Sequence, residues 1–215
     1  MTSVYHEVRL PHDPARDVLW RALWRYYFRQ FIRPDDCVLD IGCGHGGFIN
    51  SVVAHKRIAL DCWPDFPSYL QAGVEPIVGS AVKVGELVKD AVDFAFASNL
   101  FEHLTQTDLM TLLGGLRKVL PPRGTLNIVQ PNFRYAYREY FDDYTHVAIY
   151  THVSLCDVLR VSGFDIIEVK PRFLPWSIRS RLPIREALIR AYLASPIKLM
   201  GKQMLIRARV RSATA

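Results

Sequence analysis

Cysteine is sparse in this chain, with four in 215 residues. Cys37, Cys43, Cys62 and Cys156 show neither C-x-x-C spacing nor a disulfide-framework pattern, so reduced thiols are expected. Long apolar runs are missing too. No stretch reaches the roughly 18 residues that a membrane span requires. Residues 1–14 carry no signal-peptide core, and a cytoplasmic protein is expected. Low-complexity tracts are absent and 50% of the residues are hydrophobic, which excludes a largely disordered chain. The net charge of +6 comes without zinc-finger spacing or an RNP-like motif, so no nucleic-acid partner is expected.

What the chain does have is concentrated in residues 38–48, VLDIGCGHGGF. An apolar run (Cys37, Val38, Leu39, Ile41) ends in Gly42, Gly44, Gly46 and Gly47, and helix-compatible sequence follows. That is a strand, a tight turn and a helix start, suited to closing over a nucleotide-like ligand. A second apolar run, 57–60, ends in Asp61, where a carboxylate can grip two ribose hydroxyls. The glycines fit either a dinucleotide or S-adenosylmethionine. Asp40 separates the two: a carboxylate beside the first glycine repels a pyrophosphate and attracts the ammonium of a methionine moiety.

These residues carry a family resemblance. VLDIGCGHGGF resembles the first motif of class I S-adenosylmethionine-dependent methyltransferases. Residues 92–104, VDFAFASNLFEHL, resemble the fourth-strand motif of the branch that holds many small-molecule methyltransferases. Residues 141–155, FDDYTHVAIYTHVSL, are similar to a segment of bacterial methyltransferases that accompany polysaccharide synthesis. The resemblance spans about 14–172. It implies a Rossmann-like α/β fold of seven mostly parallel strands, helices on both faces, and a last strand inserted antiparallel between the fifth and sixth. It also implies S-adenosylmethionine as cofactor. By that resemblance Gly42, Cys43, Gly44, Gly46 and Phe48 form the loop that cradles methionine and ribose, and Asp40 binds the amine. Asp61 holds the ribose, with Cys62 and Trp63 beside the adenine. Ser98, Asn99 and Leu100 meet the methionine end. Where many members place an Asp after strand three, this chain has Ser80 and Ala81, a weaker adenine contact.

The alternation along the chain agrees with a parallel α/β sheet. Strands are predicted at 37–41, 57–61, 74–78, 92–97, 125–130, 164–169 and 202–210, with helices at 46–55 and 105–119. Asp13-Pro14 opens an N-terminal helix in 14–32, apolar on two sides; its aromatic face suits a roof over the site, a homodimer contact or ordinary core packing. Ser154 to Asp157 reads as a capping box for a helix ending near Ser162. The whole of 1–215 is expected to be one domain, with a substrate-side insertion at 131–150. A basic amphipathic insertion at 174–201, containing Trp176, Ile178, Arg179, Arg181, Pro183, Ile184, Leu188 and Tyr192, suits either its own domain or an anionic membrane surface.

Methyl transfer to a hydroxyl requires alignment of the acceptor, exclusion of water and removal of a proton. His146 is the candidate base, with Asp143 to orient it; His103, after strand four, is a second candidate or a pocket wall. Asp142, Asp143, His146 and His152 include metal-ligand types, but adjacent acids converge poorly and no metal is expected. Tyr135, Tyr137 and Tyr140 suit stacking on an acceptor or packing in a lid. The expected reaction is O-methylation of a sugar or glycan-intermediate hydroxyl. The alternatives are a small aromatic metabolite or amine as acceptor, a nicotinamide oxidoreductase, and a non-catalytic scaffold of the same fold.

Overall fold

Seven strands form one sheet in the order β3-β2-β1-β4-β5-β7-β6, in a computed structural model that describes residues 12–175, 185–198 and 200–212. The strands are β1 (Cys37–Ile41), β2 (Lys56–Asp61), β3 (Val74–Val78), β4 (Phe94–Ser98), β5 (Thr125–Pro131), β6 (Phe164–Pro175) and β7 (Gly201–Val210). Strands β1 to β5 pair with one another in parallel. Strand β7 runs antiparallel to both β5 and β6. All of β1 is buried, as expected of a parallel strand covered on both faces.

The helices are α1 (Pro14–Tyr26), α2 (Gly47–Ser51), α3 (Val84–Leu87), α4 (Gln106–Val119), α5 (Phe133–Ala136), α6 (His152–Val161) and α7 (Glu186–Ala194). One hydrophobic cluster fills the face under α4 and α6, with Leu39, Ile58, Ala95, Leu112, Leu116 and Leu155. The other lies under α1 and α2, with Leu23, Phe28, Val38, Phe48, Phe66 and Phe96. Gly115 does more than soften α4. A Cβ there would lie 2.9 Å from the Gly85 nitrogen, so paired glycines let α3 and α4 touch backbone to backbone.

Three expectations shift in detail. The helix after the glycine loop is five residues long, because Val52 turns extended and ends it. Helix α6 begins one turn early: Thr151 and Ser154 form the capping box, since the Thr151 side chain reaches the Ser154 amide. The N-terminal helix stops at Tyr26 and a 3-10 turn, Phe28–Phe31, completes the segment. Asp13 caps α1 as expected, accepting from the Ala15 amide at 2.9 Å.

Helix α1 roofs the glycine loop rather than presenting its aromatic face outward. Trp20 packs edge-on against Phe48 and Phe96 at ring distances of 6.0 and 5.7 Å. Helix α7 lies on α1, where Glu186 accepts from Arg25 at 2.7 Å and from Tyr26 at 2.8 Å. The described part of the basic insertion therefore packs on its own fold; Trp176, Ile178, Arg179, Arg181, Pro183 and Ile184 lie outside the described residues, as do residues 1–11.

Candidate active site

Strand β1 delivers the glycine loop to the carboxyl edge of the sheet, where open α/β folds bind ligands. Gly42, Gly44 and Gly46 all have positive φ, of +67°, +52° and +69°, a region that L side chains enter at a cost. Their surroundings differ. A Cβ on Gly46 would come within 2.6 Å of Leu70, whereas one on Gly44 would meet nothing within 4 Å. The space in front of Gly44 is thus open for ligand, and the loop backbone can be approached closely there.

Asp61, at the end of β2, fixes this loop. Its Oδ2 accepts from the Gly44 amide at 2.8 Å and its Oδ1 from the Trp63 amide at 2.9 Å. Each carboxylate oxygen can accept more than one hydrogen bond, so the same group can hold a ribose. Asp40 is 3% exposed. Burial, with Asp61 adding to it, raises its carboxyl to about 8, while the Ile49 amide acts the other way. A buried acid poised in this way suits a cationic amine. Burial also pushes the Cys43 thiol well up, with Asp40 and Asp61 contributing; Cys43 is a packing residue in the loop.

The loop after β4 closes the opposite side. Asn99 has φ +49°, the one positive value outside glycine among the described residues, and asparagine tolerates it better than most. Its amide donates to Val129 at 2.9 Å, and Gln203 donates to its side chain at 3.2 Å. Leu100 then reaches the glycine loop, 3.0 Å from where a Gly42 Cβ would stand. Leu100 therefore faces the loop, with Ser98 and Asn99 leading into it from the end of β4.

Other assignments change. Phe48 lies in the core, stacked on Phe96 at 4.0 Å and 2% exposed, because α2 turns that residue under α1. It supports the loop and does not line the pocket. Ser80 spends its oxygen on capping the turn Ala81–Lys83, accepting from Val82 at 3.4 Å, with Ala81 opening that turn. Trp63 is buried and Cys62 exposed. Trp63 joins an aromatic group that sequence reasoning missed, with Tyr69 at 5.2 Å and His45 at 5.0 Å. His45 sits inside the glycine motif, and its position was the available signal.

On the acceptor side, segment 131–150 folds back over the turn after β4. Val147 and Ala148 both donate to the Glu102 carbonyl. The rings of His103 and His146 lie 4.8 Å apart. Asp143 reaches His103 through Thr145, whose hydroxyl donates to Asp143 Oδ1 at 2.6 Å and contacts His103 Nδ1 at 2.9 Å. Since that hydroxyl proton is committed to Asp143, the His103 contact requires a proton on Nδ1. His146 Nδ1 meets the Tyr140 carbonyl at 2.6 Å, and a carbonyl only accepts, so Nδ1 carries the proton there too. Burial, reinforced by His146, lowers His103 to about 4, leaving it neutral at pH 7. Burial raises Glu102 to about 8. Sequence reasoning missed Glu102 and Thr145, although the adjacent Glu-His pair was visible. His152 lies apart, bonded to Asn132 at 3.0 Å.

Tyr140 is fully buried and donates its hydroxyl to the Ala148 carbonyl at 2.6 Å, so it packs within the segment. Tyr135 stacks under Arg172 at 4.0 Å. Tyr137, Phe141 and Tyr144 stay exposed on the same segment.

The strand order, the inserted antiparallel β7 and the glycine-Asp61 loop define a class I S-adenosylmethionine-dependent methyltransferase fold. A family model described as a methyltransferase domain matches residues 15–169, and the chain belongs to that methyltransferase family. S-adenosylmethionine is its cofactor, and the open loop, the ribose-height carboxylate and the buried acid fit it. Among solved structures, a SAM-dependent methyltransferase from Archaeoglobus fulgidus has 21% identity and a TM-score of 0.68, over 96% of this chain and 97% of that one. The N-methyltransferase NodS from Bradyrhizobium japonicum has 15% identity and a TM-score of 0.63, over 94% and 100%. The plantazolicin methyltransferase BamL, in complex with a triazolic desmethylPZN analogue and SAH, has 18% identity and a TM-score of 0.65, over 98% and 89%. No curated protein matches this sequence.

Proposed function

We propose that the enzyme methylates a hydroxyl group, on a sugar or glycan-linked intermediate. The observation that carries this reading is the pair of histidines, His103 and His146, with their Nδ1 protons anchored by neighbours. That anchoring leaves each Nε2 as a lone-pair nitrogen, the form that can assist removal of a hydroxyl proton. Burial keeps His103 neutral, as such a role requires. The exposed rings of Tyr137, Phe141 and Tyr144 on the same segment as His146 favour an acceptor with flat apolar faces, which pyranose rings and aromatic metabolites both offer.

The bound cofactor supplies an electrophilic methyl group. Gly42 and Gly44 hold it by close backbone approach, Asp61 by its ribose, and Asp40 by its amine. Leu100 and Trp20, above the loop, help exclude water. Asp143 and Thr145 fix the His103 ring, and Tyr140 fixes His146. In an acceptor panel of glycosides, phenols and amines with labelled cofactor, a hydroxyl acceptor should turn over and lose at least a hundredfold in kcat with His146→Ala. Turnover of amines alone would refute the hydroxyl assignment.

A further inference from the structure

Methyl transfer as described leaves the buried Glu102 without a role. Glu102 has no exposure to solvent, and neither carboxylate oxygen has a hydrogen-bond partner among the described residues. Burying such a group without partners is costly, and buried carboxylates are typically paired or bound to a metal. Its main chain, in contrast, is held by Val147 and Ala148. The side chain is thus placed by the fold, and neither oxygen finds a side-chain partner among the described residues.

One ligand atom each from Glu102, His103 and His146 lies within 4.8 Å of the others. Around a zinc ion with bonds of about 2.0–2.1 Å, tetrahedral neighbours stand roughly 3.3–3.5 Å apart. Ligation would draw the three side chains together by that difference. The hydrogen bonds already described have the character of a metal site's outer support. A ligating histidine usually donates its other ring N–H to a carbonyl or a carboxylate-linked group. His146 does so to Tyr140, and His103 to Thr145, which is held by Asp143.

We propose that Glu102, His103 and His146 form a binding site for a divalent transition-metal cation, with the remaining coordination positions open toward the acceptor. Two imidazoles and one carboxylate suit borderline cations such as Zn²⁺, and three protein ligands leave room for a further oxygen. The sequence led us to expect no metal, because the acids considered were Asp142 and Asp143; Glu102 replaces them. The site's catalytic role rests on the hydroxyl-acceptor reading: a bound cation polarises the acceptor oxygen and eases loss of its proton, and the two rings then act through the cation instead of taking the proton themselves.

The test uses untagged, EDTA-stripped protein titrated with Co²⁺ alone, followed by visible absorption and calorimetry. The wild type should bind one ion with intense d–d bands and micromolar affinity. Glu102→Gln and His146→Ala should each weaken binding at least tenfold, while S-adenosylhomocysteine affinity stays within twofold. If Glu102→Gln does not fold, His103→Gln gives the same reading. Absence of d–d bands in the wild type, or Co²⁺ binding unaltered by these substitutions, would overturn the proposal. Loss of S-adenosylhomocysteine binding in the wild type would count against the cofactor site and leave the metal result standing.

Discussion

Two buried carboxylates at the loop differ in their surroundings. Asp61 accepts two backbone N–H groups, whereas Asp40 is raised by burial to about 8. At neutral pH Asp40 is therefore mostly protonated before the cofactor arrives. A ligand ammonium favours the ionised form, so binding should release a proton. The fraction already ionised grows as pH rises toward 8, so affinity should tighten from about pH 6 to pH 8. Calorimetry of S-adenosylhomocysteine in buffers of different ionisation heat checks this: proton release should appear in the wild type and vanish in Asp40→Asn. Zero release in the wild type would contradict the assignment. Gly46→Ala tests the loop itself. A side chain at φ +69° costs about 1–2 kcal/mol, before the clash with Leu70; a denaturation midpoint equal to wild type would refute the strain.

At the scale of elements, close contacts set the geometry that the site depends on. The Gly85–Gly115 approach of α3 and α4 leaves no room for a branched side chain. Gly115→Val should cost about 1–3 kcal/mol in urea unfolding, as overpacking does, with cofactor affinity per folded molecule retained. Near-wild-type stability would mean that the helices separate freely. The glycine loop, β1 and Asp61 were legible from sequence because strand, turn and carboxylate are contiguous in pattern. Phe48 was misplaced for the opposite reason. Whether a residue at the start of α2 faces the ligand or the core depends on α1, which packs over that helix from a distant part of the sequence.

For the whole molecule, the sheet order was readable only through family resemblance. Periodicity marks a strand at 202–210 but does not say that it slots between β5 and β6. The acceptor side was the least legible part. Glu102 reads as one more charge in a short turn until segment 131–150 closes over it, and Asp143 reaches His103 through Thr145. Both relations join residues about forty apart in sequence, where no local pattern reports contact. The cofactor half of the site is local and the acceptor half is assembled by folding.

The measurement that tests the account most directly is calorimetric titration of S-adenosylhomocysteine into wild type and Asp61→Ala. Asp61 braces the loop and is assigned to the ribose, so its removal should weaken micromolar binding by about ten- to a hundredfold, the worth of hydrogen bonds to a charged group. Equal affinity in the two proteins, or no binding by the wild type, would contradict it.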